Sequence, residues 1–232
     1  MKSNPTLRRG FTLVELLVVI VIIAALAGLT APMVIRQRKK ADQTEAVSNA
    51  RQIGLALFEF ETAYGSFPDA TTGPTVIANT GTLLTFPGNT SNDYFRQLMA
   101  AEIAQSESMF YAKTAFTKKP DNVFTTTTQA LEKGEVGFGY LLNTATAFST
   151  AGNPARPIIA APLAYPFVDG KFDADMYDSK AVVLKIDNSV TSLQIRKTDG
   201  KAVLGTSDLT TNGVNTVWGK DAIPTMTNPE SK

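Results

Sequence analysis

Residues 11–35 are apolar with only Thr12, Glu15 and Thr30 interrupting, and no other feature constrains the fold as much. A helix over this run has no polar face to turn to water, so it must lie in lipid or be covered by protein on all sides. At about 1.5 Å per residue it reaches about 37 Å, against a hydrocarbon core of roughly 30 Å. The same residues also fit a cleavable secretory signal, with Lys2, Arg8 and Arg9 as the charged start and Ala25-Leu26-Ala27 as the cleavage site. Its apolar core would then be long and would enclose Glu15. Basic residues stand on both sides of the run, with Arg36, Arg38, Lys39 and Lys40 after it, so charge alone sets no orientation.

The rest of the chain reads as globular: over 232 residues the hydrophobic share is 44% and mean hydropathy is near zero. With no cysteine there are no disulfides or thiolate metal sites, and with no histidine the commonest general base and transition-metal ligand is missing. Gly134-Glu135-Val136-Gly137-Phe138-Gly139 departs from the spacing of a dinucleotide-binding loop and no P-loop lysine follows it. The expectation is that the chain is not an enzyme. A formal charge of +1, from 22 basic and 21 acidic residues, offers no field for a polyanion, so no nucleic-acid partner is expected.

The short basic leader ending in Gly10, followed by Phe11-Thr12-Leu13-Val14-Glu15-Leu16-Leu17, resembles the processing motif of type IV prepilins and of the pseudopilins of type II secretion. The resemblance implies that a prepilin peptidase cuts after Gly10 and methylates Phe11, and that Glu15 supports assembly. Residues 57–68, in which an aromatic, Gly65 and the Phe67-Pro68 pair close a helix, are similar to the major pseudopilins in particular. Implied partners are that peptidase, other pilin or pseudopilin subunits in a homopolymer, an inner-membrane assembly platform, and membrane lipid before assembly. The implied location is the inner membrane, crossed once, with the globular domain in the periplasm, and afterwards the pilus or pseudopilus.

Physical chemistry supplies a reason for Glu15. Cleavage would leave a charged amine at Phe11, unfavourable in lipid unless paired, and the Glu15 carboxylate of an axially staggered neighbour would pair with it. Gly28 and Pro32 lie four apart in the same helix. Proline removes an intrahelical hydrogen bond and glycine lowers helix propensity, so a kink or a loosened segment is expected there.

The chain divides into a cleaved leader (1–10), a transmembrane and polymerisation helix (11–35), its amphipathic continuation (36–64) and a globular domain (65–232). In the continuation Ala46, Ala50, Ile53, Leu57, Phe60 and Tyr64 recur at steps of three and four, a stripe that predicts packing on the globular domain. Gly65 and Pro68 should end the helix. Residues 70–92 read as a long loop, and 93–111 as one helix or two short ones with Ser91, Asn92 or Asp93 as N-cap. Strands are expected at 136–142, 157–162, 181–186 and 190–196, and the tail from Gly205 should be irregular and partly anchored by Trp218. The fold class is α+β: a long N-terminal helix, membrane-spanning in its first half and amphipathic in its second, packed on a C-terminal antiparallel sheet in the manner of pilins.

Asp169, Asp173, Asp175 and Asp178 stand within ten residues. They offer oxygen ligands for Ca²⁺ but lack EF-hand spacing, so the reading is a solvated acidic loop with no cofactor. Ca²⁺ is the alternative, because some major pseudopilins, which the chain resembles, bind it in a C-terminal loop. Two functions stand side by side: a structural subunit polymerised through its N-terminal helix, or a minor or tip pilin-like binding module or membrane-anchored adhesin. The intact Glu15 favours the first.

Overall fold

The structure, a computed structural model, describes residues 11–168 and 170–232. Helix α1, Leu13–Tyr64, takes in both the apolar run and the amphipathic stripe. It stops where the sequence predicts: Gly65 turns to φ +84 and its N–H donates to the Glu61 carbonyl at 2.7 Å, a left-handed cap that a Cβ would disfavour. The chain forms two compact units, one ending at Arg38 and one comprising Lys39–Lys232.

In the first unit every described residue, 11–38, is exposed. Burial begins at Ala46 in the second unit, and Ala46, Ala50, Ile53, Leu57 and Phe60 of the expected stripe are buried, with Tyr64 half-buried. That stripe lies on a seven-stranded sheet in the order β6-β5-β4-β3-β2-β1-β7. The strands are β1 Gly139–Asn143, β2 Pro157–Ala161, β3 Lys180–Lys185, β4 Val190–Arg196, β5 Lys201–Leu204, β6 Ser207–Asp208 and β7 Pro224–Thr227. Every pairing is antiparallel. The helix meets the sheet around the β3–β4 hairpin, where Gln43 Nε2 donates to Ser192 Oγ at 2.8 Å and Gly54 faces Asn188 and Leu184. β2 is buried along its whole length and β3 over its four central residues, which is why both read as continuous apolar runs.

Between α1 and the sheet the chain adds α2, Thr72–Thr80, α3, Ser91–Ala100, and a 3-10 turn, Glu107–Phe110. α2 corrects the expected loop over 70–92. Asp69 Oδ1 accepts from the N–H groups of Thr71 and Thr72 at 2.7 and 3.0 Å, and Gly81 closes the helix in the left-handed region. The Thr, Gly and Pro content that signalled a loop is thus distributed over helix ends. α3 begins earlier than expected: Asp93 is inside it, and its Oδ2 reaches back to accept from the N–H groups of Asn89 and Thr90.

The tail is also more ordered than expected. β7 pairs with the outer side of β1 and becomes the edge strand of the sheet. Trp218 is buried and donates from Nε1 to the Leu209 carbonyl at 2.7 Å, the anchor that the sequence predicts.

Candidate functional site

The residues that carry the processing motif open α1. Thr12 precedes its first residue and Glu15 sits in its first turn. Glu15 Oε2 accepts from Thr12 N at 2.8 Å and from Thr12 Oγ1 at 2.7 Å, while Glu15 N donates to Thr12 Oγ1 at 3.2 Å. These reciprocal bonds form a capping box, which satisfies helix-start N–H groups that lipid would leave unpaired. A threonine three residues before a glutamate ahead of an apolar run is the sequence signature of that box, and Thr12 is the residue that sequence reasoning passed over. Phe11 is 78% exposed beside this start. Gly10 lies outside the described residues.

The helix runs through Gly28 and Pro32 without interruption. Pro32 lacks the N–H that would bond the Gly28 carbonyl, so these two positions share one missing hydrogen bond. Thr30 Oγ1 donates to the Leu26 carbonyl at 3.0 Å, a back-bond of the kind that eases a helix around such a defect. Nothing among the described residues lies within 4 Å of where a Gly28 side chain would begin. α1 is long and apolar enough to cross a membrane, and its apolar window is wholly unburied. What this segment can do chemically is insert into lipid or pack sideways on other helices.

The acidic loop is dispersed. Asp173 is half-buried and its Oδ1 accepts from Asp175 N at 2.9 Å, whereas Asp175 and Asp178 are exposed. Asp169 lies outside the described residues. Among the described residues these aspartates bring no three carboxylates together.

An exposed apolar helix that opens on a Thr-Glu cap ahead of an α+β domain defines a class, and residues 6–31 match the prokaryotic N-terminal methylation motif. More particularly, the chain is similar to type II secretion system core protein G of Pectobacterium carotovorum subsp. carotovorum, 35% identical over 92 residues, which are 39% of this chain and 59% of that protein. It is likewise similar to core protein G of Escherichia coli K12, 34% identical over 94 residues, 40% of this chain and 65% of that one. The chain thus spans less than two thirds of the length of either relative. No solved structure matches it. The prepilin-type resemblance read from the N-terminal residues stands.

Proposed function

We propose that the chain is a structural subunit of a type II secretion pseudopilus or type IV pilus, made as a prepilin, cleaved after Gly10, N-methylated at Phe11 and polymerised through its N-terminal helix. The observation that carries this reading is the coincidence of the methylation motif with a segment, residues 11–38 and helical from Leu13, that is exposed throughout. An apolar surface of that extent is unfavourable in water; lipid would cover it before assembly and neighbouring subunits' helices afterwards. The names of the relatives favour the secretion branch. The reading places the chain in the inner membrane with its globular domain in the periplasm, handled by a prepilin peptidase and an assembly platform, and assigns it no catalytic step.

Glu15 then has two tasks: it caps its own helix, and in a staggered filament it pairs with the Phe11 amine of a neighbour. Glutamine can still accept the cap's hydrogen bonds but carries no charge, so the tasks separate experimentally. Intact-mass and N-terminal peptide analysis of the native membrane fraction should find a chain starting at N-methylated Phe11. Glu15→Gln and Glu15→Ala should then both be processed yet both lose filament yield. A chain starting after Ala27 would overturn the reading, and wild-type filaments from Glu15→Gln would leave Glu15 with the capping task alone.

A minor or tip subunit is the second reading, favoured by one observation: the matched segment is only 39% of this chain. Copy number in sheared filaments decides between them, because a major subunit dominates the filament mass.

A further inference from the structure

Glu107 opens the 3-10 turn and Glu135 stands in the turn before β1, and both are fully buried. Asp121 lies on the exposed connection between them in sequence. One carboxylate oxygen from each of the three lies within 4.8 Å of the others. Two buried acids this close repel each other and lose hydration unless a proton or a cation intervenes.

The positive charge at hand falls short. Lys118 Nζ stands 3.4 Å from Glu135 Oε1, but it also forms an ion pair with Glu132. One ammonium therefore serves two carboxylates and leaves Glu107 and Asp121 uncompensated. Glu107 Oε1 accepts from Leu131 N at 2.6 Å, whereas its Oε2 is buried with no hydrogen-bond partner among the described residues. Glu135 repeats the arrangement in part: Oε2 accepts from Glu132 N at 2.8 Å, and Oε1 has no hydrogen-bond partner among the described residues beyond the shared Lys118 ammonium at 3.4 Å. Unsatisfied buried carboxylate oxygens are costly, and a pair of them beside a third acid points to a ligand that brings positive charge.

We propose that Glu107, Asp121 and Glu135 bind one divalent cation of the calcium type. The donors are all carboxylate oxygens, in a chain with neither histidine nor cysteine, which selects a hard cation over a transition metal. Ca²⁺–oxygen distances are about 2.3–2.6 Å, so a single ion can reach oxygens up to roughly 4.8 Å apart, wider than the compact octahedron of Mg²⁺ permits. Exposed Asp121 leaves room for water to complete the shell and for the ion to enter. The ion would clamp the 3-10 turn, the 118–122 connection and the 131–135 turn together. This site is separate from the Asp173–Asp178 loop, and it does not depend on the filament reading.

The test uses the full chain in detergent, stripped with EDTA and titrated with CaCl₂ by calorimetry, with melting followed in parallel. One Ca²⁺ should bind per chain and raise the melting temperature. Asp121→Asn should weaken binding by roughly tenfold or more, and because it removes a repulsive charge beside Glu107 from an exposed position it should not lower the metal-free melting temperature. Asp173→Asn combined with Asp175→Asn should bind as the wild type does. Absence of any Ca²⁺-dependent heat and melting shift overturns the proposal, and so does binding that survives Asp121→Asn but is lost in the Asp173/Asp175 variant.

Discussion

Glycine in a helix usually invites replacement, since alanine there is favoured by up to about 1 kcal/mol. Gly54 reverses that sign. A Cβ at this position would overlap Asn188 Oδ1 and would stand 2.9 Å from Asn188 Cγ and 3.2 Å from Leu184 Cδ1. The turn fixes the Asn188 backbone at φ +60, so its amide can clear a Cβ only by rotating out of its place between helix and hairpin. Gly54→Ala should therefore lower stability by about 1–3 kcal/mol in urea unfolding, and Asn188→Gly in the same background should recover most of the loss. A more stable Gly54→Ala protein would refute the close approach. From sequence Gly54 reads only as a weak helix former, because its partner is 134 positions further on and meets it only after the sheet forms. Glu15 is the opposite case: its capping partner is three residues away, so the motif was open to view in the string itself.

At the scale of elements, α3 is unusual in that all ten of its residues are buried, polar ones included. It manages this because Arg96 lies nearly out of solvent and spends its guanidinium on four partners: the Ala130 carbonyl at 2.7 Å, the Leu131 carbonyl at 3.0 Å, Asp93 Oδ1 at 2.9 Å and Glu230 Oε1 at 3.4 Å. Asn92 ties the C-terminal tail to the same helix by accepting from Glu230 N at 3.0 Å. Arg96→Met should cost about 3–5 kcal/mol, because it strands the buried Asp93 charge and both carbonyls. Arg96→Lys should restore only part of that, since one ammonium cannot reproduce the planar fork. Equal stability of Arg96→Lys and wild type by urea unfolding would contradict this account. The helix itself was readable from its pattern and polar start, but its burial was not: Arg96 and Asn92 look like surface residues until their partners 34 or more positions away arrive. α2 escaped for a different reason, since the Gly, Pro and Thr that form its ends are the same residues that mark loops.

For the molecule as a whole, two phenols tie distant parts of the second unit together. Tyr140 of β1 donates to the Pro68 carbonyl at 2.9 Å, and Tyr177 donates to the Lys113 carbonyl at 3.0 Å. Burial raises both phenol pKa values, helped by Asp69 near Tyr140 and by Asp42 near Tyr177. In the unfolded chain each ionises near about 10, whereas the folded chain holds its proton to higher pH. Above about pH 10 the unfolded state binds fewer protons than the native one, so stability must fall as pH rises. Of the six tyrosines, these two should ionise only as the protein unfolds, which an absorbance titration alongside circular dichroism would reveal. Normal titration of all six in a still-folded chain would contradict their burial.

The sequence by itself determined what depends on short-range order. The apolar run, the helix stripe, the Gly65 stop, four of the strands and the processing motif are all patterns within a few turns of chain, and local geometry alone gives them meaning. Only the tertiary structure decided what depends on residues that are far apart in the chain. It placed Gly54 against Asn188, used the tail as the edge strand beside β1, and gathered Glu107, Asp121 and Glu135 into one cluster. No local spacing marks those acids, because their proximity comes from the packing of three separate turns, and electrostatics acts through space rather than along the chain.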